Sequence, residues 1–192
     1  MDALAQAMEI DGLVKNSQCN FLYDLAKTID KELYIVEIGS WRGKSTCCLG
    51  LGSLNGNRAP VIAIDLWRKH RVKRYNAEEH FRAFLSNIKR FDLKDIVTYI
   101  EGDSYSASKS WNSNDQIGLL FIDGDHSYNS VSCDFNAWFS YVIPEGYVVF
   151  HDYQPRFPGV FQFVNERIKE KDIDYVSQSK CLLVSQKKGE SL

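Results

Sequence analysis

The chain has 192 residues, 44% hydrophobic and 25% charged, which suits one domain with a sizeable core. A formal net charge of -2 argues against nucleic acid held by overall charge, and no apolar run approaches the roughly 18 residues of a membrane span. The start Met-Asp-Ala-Leu-Ala-Gln lacks the features of a secretory leader, and 5 cysteines without Cys-x-x-Cys spacing suit small buried thiols in a reducing cytoplasm.

Residues 1–30 read as a helical N-terminal extension, with Ser17 capping a helix whose apolar face is Phe21, Leu22, Leu25 and Ile29. A strand at 34–38 is followed by a turn with Gly39 and Gly43 and a helix over 45–54. A second strand at 61–65 ends on Asp65. Asn76 with Glu79 reads as a capping box before Phe81, Phe84, Leu85 and Ile88 at helical spacing. Further strands are expected at 97–101, 119–122 and 147–150, the last after a turn at Pro144-Glu145-Gly146. Helices are expected near 104–109, through Val131, Phe135, Trp138, Phe139 and Val142, and after Pro158-Gly159. Strands at 173–176 and 182–185 lie too close for a helix between them, so they pair antiparallel. The alternation is that of a doubly wound α/β sheet, mostly parallel, in one domain over 1–192. Ligands in such sheets bind beyond the carboxyl ends of the strands, where Glu37, Gly39, Asp65, Asp103, Asp123, His126, His151 and Asp152 collect.

Glycines at 39 and 43 let the backbone approach a ligand, and the next helix offers free N–H groups to an anion. A P-loop is excluded because only three residues separate the two glycines, and Lys44 then reads as a solvated helix-start residue. A dinucleotide turn needs Gly-x-Gly-x-x-Gly, and Gly50-Leu51-Gly52 comes too late for it. An adenosine cofactor without phosphates fits better, with Asp65 placed for a ribose diol.

The segments Val36-Glu37-Ile38-Gly39-Ser40 with Gly43, Ile64-Asp65-Leu66, Glu101-Gly102-Asp103-Ser104, Phe121 through Tyr128, and Phe150-His151-Asp152 resemble class I S-adenosylmethionine-dependent methyltransferases. The resemblance covers about residues 33–185, and Asp-Gly-Asp-His-Ser-Tyr with His-Asp-Tyr is similar to the small-molecule O-methyltransferase branch, of the methyltransferase domain family 24 and macrocin O-methyltransferase kind. It implies a Rossmann-like seven-stranded sheet with a C-terminal antiparallel strand. It implies that Glu37 serves the methionine ammonium, directly or through water, and that Gly39, Ser40 and Gly43 serve the carboxylate. Asp65 then takes the ribose, Trp67 covers the sugar or adenine, and Asp103 with Ser104 meets the adenine, beside Asp123. Asp103 also reads as a helix N-cap.

Methyl transfer needs an aligned acceptor and removal of its proton. Asp123, His126 and His151 are the catalytic candidates, either histidine being a base in the neutral range. Metal-dependent relatives place oxygen ligands where Asp123 and Asp152 stand, so Mg2+ or another divalent cation is a second expectation. Tyr153 departs from the catechol-type Asp-Asn pair. The basic run Arg68–Arg74 reads as a solvated loop or as a holder of an acidic acceptor, and His70 and His80 carry no role. The reading is a cytoplasmic enzyme that methylates a small polar acceptor, with no membrane or nucleic-acid partner. A shallow site, or a pocket completed in a homodimer, goes with it. The alternatives are a cephalosporin hydroxylase-like relative and a non-catalytic S-adenosylmethionine-binding protein.

Overall fold

In the computed structural model, residues 2–67 and 76–189 are described. The chain runs α1 (Ala3–Ala7), α2 (Asn16–Thr28), β1 (Tyr34–Ile38), α3 (Lys44–Leu54), β2 (Val61–Asp65), α4 (Ala77–Arg90), β3 (Val97–Glu101) and α5 (Ser104–Lys109). It continues through β4 (Ile117–Ile122), α6 (Tyr128–Trp138), β5 (Val142–Phe150), α7 (Pro158–Glu170), β6 (Ile173–Ser179) and β7 (Leu182–Lys187). The strands form one sheet of order β3-β2-β1-β4-β5-β7-β6. Pairing is parallel from β3 to β5, and β7 runs antiparallel to both β5 and β6. This is the doubly wound sheet expected, with the antiparallel final pair.

Side chains alternate between two buried faces, so the central strands are apolar on both sides. Ile35, Val61, Leu119 and Val149 pack with α2, α3 and α4, while Val36, Ile62, Leu120 and Val148 pack with α6 and α7. The strand order reverses beside β1, which lies between β2 and β4, and the carboxyl ends there open the crevice that holds the site. No helix among the described residues is long and apolar enough to cross a membrane.

Several local expectations change. The N-terminal extension is one turn of helix, an irregular stretch and then α2, and it is not an appendage: Ala7, Ile10, Val14, Cys19, Leu22 and Ala26 belong to the core. The cap of α2 is Lys15, not Ser17, because the Gln18 side chain accepts the Lys15 N–H at 2.8 Å. Asn76 precedes α4 but donates to the Glu79 carboxylate at 2.7 Å instead of capping the backbone. Residues 144–146 lie inside β5, which is irregular where it faces β4 between Ile117 and Leu119. Helix α6 ends at Trp138, and Val142 starts β5. All five cysteines are free, but Cys133 is exposed and Cys181 half-buried, against the expectation of burial for each.

Candidate functional site

A cavity of about 570 Å³ opens at the carboxyl ends of β1, β2 and β4, within the size range of small-molecule sites. Gly39 forms its floor at φ 91°, and a Cβ there would lie 2.1 Å from the Asp123 carbonyl oxygen. Only glycine lets the β1 and β4 tips meet this closely. Gly43, also left-handed at φ 84°, is the N-cap of α3, and no side chain caps that helix. The free N–H groups of its first turn stand ready for an anion, and Lys44 and Ser45 line the cavity beside them. Lys44 is therefore a wall of the cavity, its stem against Gly12, rather than a solvated residue.

Asp65 is the best-anchored acid of the site. Its Oδ2 accepts the Trp41 N–H at 2.8 Å and its Oδ1 accepts the Trp67 N–H at 2.9 Å. Each oxygen keeps a lone pair for a further donor, such as one hydroxyl of a diol. Trp67 itself does not reach the cavity. It is fully buried, its indole N–H donates to the Trp41 carbonyl at 2.7 Å, and its ring packs on Phe81 and Phe84. The expectation that Trp67 covers the cofactor is corrected: the aromatic residue that lines the cavity is Trp41.

Glu37 lies behind the cavity wall, with the Ser40 and Thr46 hydroxyls donating to its Oε2 and its Oε1 without a hydrogen bond. Burial pushes its carboxyl up to about 7, against the hydroxyl bonds from Ser45, Thr46 and Ser40. Any service to a ligand ammonium runs past the lining residues Ser40 and Ser45 or through water. Asp103 both lines the cavity and caps α5, its Oδ1 accepting the Ser106 N–H at 2.8 Å. Ser104 lines the cavity too, and its hydroxyl donates to Asp134. Burial pushes the Asp134 carboxyl up to about 6.

The sequence reading missed Asp134, Tyr105 and the 12–14 loop, where Leu13 is 72% exposed at the rim. Asp134 carried a signal, a carboxylate in the apolar stretch of α6. The loop carried none, because its approach to Lys44 is a tertiary contact. With Asp65, Asp103, Asp123, Asp125 and Asp134 against Lys44, the lining suits a cationic ligand.

Asp123 and His126 also line the cavity, whereas His151 does not. His151 is 4% exposed, and its Nδ1 lies 3.0 Å from Asp123 Oδ1 and 3.1 Å from Asp152 Oδ2. It makes a well-aligned hydrogen bond to neither. Burial opposes charge on this ring, but the two carboxylates outweigh it and push His151 up to about 10. His151 is thus corrected from general base to a buried cation. Burial raises the Asp123 carboxyl, with His151 pulling the other way. Asp152 is held low, burial being outweighed by His151, His126 and the Cys181 thiol. The His126 Nδ1 lies 3.4 Å from Asp152 Oδ2, and its ring packs at a tilt of 55° against Phe157, the centroids 4.6 Å apart.

Among the described residues, His151, Asp152 and Cys181 bring one potential metal-ligand atom each within 4.8 Å of one another. The two carboxylate oxygens that a hard cation would bridge both face the His151 ring, and Tyr153 donates to Asn165 while stacking on Phe161. The basic run Arg68–Arg74 lies outside the described residues, as does His70. His80, given no role, accepts from the Arg42 guanidinium at 2.9 Å.

Comparison with known proteins accords with this arrangement. The protein R132 of Acanthamoeba polyphaga mimivirus, named as uncharacterized, is 32% identical over 141 residues, covering 70% of this chain and 58% of its own length. The chain thus spans less than two thirds of that curated relative. An O-methyltransferase from Bacillus cereus, solved with SAH, superposes with a TM-score of 0.68 at 20% identity, over 96% of this chain and 86% of that one. The O-methyltransferase TomG from Streptomyces achromogenes, solved with SAM, gives 0.71 at 16% identity, over 98% and 91%. These superpositions establish the shared fold. The sequence profile Methyltransf_24, described as a methyltransferase domain, matches residues 36–153, more than half of the chain and every strand tip that lines the cavity. The chain belongs to this methyltransferase domain family.

Proposed function

We propose that the chain is an S-adenosylmethionine-dependent methyltransferase acting on a hydroxyl of a small polar metabolite, such as a sugar. One observation carries the reading: both oxygens of Asp65 are pinned by backbone N–H groups in a cavity that is also lined by the uncapped start of α3. The two offer a diol acceptor and a carboxylate site within one acid-rich pocket. The ligands SAH and SAM in the Bacillus cereus and TomG structures support the same cofactor here.

When bound, the cofactor supplies a methyl carbon on a sulfonium, whose bond to sulfur breaks as the bond to the acceptor oxygen forms. The chain's own residues position and deprotonate. Asp65 orients the ribose, the α3 N-terminus and Lys44 hold the carboxylate, and the acidic lining favours the sulfonium charge. His126, with Nδ1 toward Asp152, keeps Nε2 for the acceptor hydroxyl and takes its proton as the oxygen attacks. Long histidine–carboxylate distances without ligand tighten when a site closes.

Calorimetric titration of the intact chain with S-adenosylhomocysteine tests the reading. Micromolar binding is expected, and Asp65→Asn should weaken it roughly 10- to 100-fold, the cost of leaving paired polar groups unmatched. A wild-type chain that binds neither S-adenosylmethionine nor S-adenosylhomocysteine would sink the assignment.

A further inference from the structure

We propose that His151, Asp152 and Cys181 form a binding site for one zinc ion, at the junction of β5 with the final hairpin. None of the three lines the cavity described above, so the site is separate from the pocket for cofactor and acceptor. It stands on its own donor atoms and does not depend on the methyl-transfer reading.

The antiparallel end of the sheet brings the three together. Phe150 pairs with Leu183 across β5 and β7, and the Tyr153 N–H donates to the Cys181 carbonyl at 2.9 Å. This lays the β6–β7 turn against the end of β5. His151 and Asp152 are buried there, and Cys181 is half-buried. One ligand atom from each lies within 4.8 Å of the other two. A tetrahedral zinc shell, with bonds of about 2.0 Å to nitrogen and oxygen and about 2.3 Å to sulfur, spaces its donors roughly 3.3–3.6 Å apart. His151 Nδ1 lies 3.1 Å from Asp152 Oδ2, and its Nε2 lies 3.8 Å from Cys181 Sγ. One ring nitrogen binds the ion, so side-chain shifts of about 1 Å complete the shell.

An imidazole and a thiol beside a single carboxylate select zinc over magnesium or calcium, which take oxygen. The ring gives an independent sign: Nδ1 is buried, yet makes no well-aligned hydrogen bond. Whichever nitrogen meets the ion, the other has a holder. Asp123 Oδ1 stands 3.0 Å from Nδ1, and Gln18 Oε1 stands 3.4 Å from Nε2. Metal-bound histidines are oriented by such carboxylate or carbonyl oxygens. The Gln18 amide nitrogen donates to the Cys181 sulfur at 3.2 Å, a bond that supports a thiolate. With three protein ligands, the fourth position belongs to water. The ion displaces the protons of ring and thiol, and its charge takes their place beside the carboxylates.

Such an ion is a staple. It ties the end of β5 to the last hairpin, and it steadies Asp152, whose backbone is at φ 56°, a left-handed conformation costly for a residue with a side chain. Asp152 Oδ2 also lies 3.4 Å from the His126 Nδ1, so the staple fixes one wall of the cavity from outside it.

The test uses the intact chain, stripped of metal and kept reduced. Zn2+ is titrated against a competing chromophoric chelator, and Co2+ serves as a spectroscopic stand-in. One zinc per chain with micromolar or tighter affinity is expected, and the Co2+ form should show the sulfur-to-cobalt charge-transfer band of a thiolate ligand. Cys181→Ser and His151→Asn should each weaken zinc binding at least about 100-fold. Cys133→Ser, which removes the exposed thiol, should change it by less than about threefold. Zinc at roughly 100 times its Kd should raise the wild-type melting temperature by about 5 °C or more and leave that of Cys181→Ser where it was. No zinc binding tighter than millimolar, binding that survives Cys181→Ser, or displacement of zinc by millimolar Mg2+ would overturn the proposal. If Cys181→Ser does not fold, the wild-type Co2+ spectrum decides, and a spectrum without the thiolate band would overturn it. A chain that binds zinc at this site but not S-adenosylhomocysteine would sink the methyltransferase reading and leave the zinc site standing.

Discussion

Around the cofactor half of the cavity, Asp65 takes its partners from Trp67, two residues on, and Trp41, 24 residues back. Around the transfer half, His151 meets Asp123 from another strand, Cys181 from 30 residues on and Gln18 from 133 residues back. The first half is made by backbone at two adjacent strand tips, and a short motif encodes it. The second is made by side chains that only the finished fold brings together. Geometry therefore protects the first half, and electrostatic balance holds the second.

The largest expected break in that comparison is on the geometric side. Gly39→Ala puts a methyl group 2.1 Å from the Asp123 carbonyl oxygen, at a backbone angle that side chains rarely adopt. It should cost at least about 3 kcal/mol, lowering the melting temperature by roughly 10 °C and taking cofactor binding with it. Thermal denaturation checks this, and a variant as stable as the wild type would show that the strand tips are not rigidly joined.

On the electrostatic side, pH is the lever. The His151 ring is raised above its ordinary 6.5 to about 10, so its stabilising charge is fully present below pH 6.5 and is lost as pH rises through 10. Between about pH 7 and 9 the wild type should lose on the order of 2 kcal/mol relative to His151→Asn, read as a shift in urea midpoint. Parallel profiles for the two chains would mean that the ring is neutral.

A smaller effect sharpens the boundary between cofactor wall and core. Trp67→Phe removes the indole bond to the Trp41 carbonyl and some packing volume. It should cost about 1–2 kcal/mol in stability while changing S-adenosylhomocysteine affinity by less than about threefold. An affinity loss above about tenfold would return Trp67 to the cofactor.

What was legible in the sequence follows the same division. Gly39 and Asp65 both line the cavity, and Gly43 starts the helix beside it, because each stands at or just past the end of a strand that the apolar pattern marks out. Trp67 misleads, since a residue just past a strand tip is expected at the site. At φ 31° the chain turns its indole inward against Phe81 and Phe84. Lys44 reads as solvated because nothing near it announces the Gly12 loop. The His-Asp pair at 151–152 is visible as chemistry, but its role is not. Whether a histidine is base or cation depends on what faces each nitrogen, and Gln18 and Cys181 arrive from opposite ends of the chain.

The Gln18 amide reaches Ser179 across 161 residues. Such a contact closes one of the widest loops the chain can form, and wide loops close late. During synthesis, β1, β2 and their glycine turn have everything they need long before the final hairpin emerges. The fixed charge beside the transfer site has no such early moment, because the amide that holds one end of its ring is itself held by the last turn of the sheet. Cofactor recognition and proton handling are thus separated in time as well as in space, and the chemistry is the last thing the chain acquires.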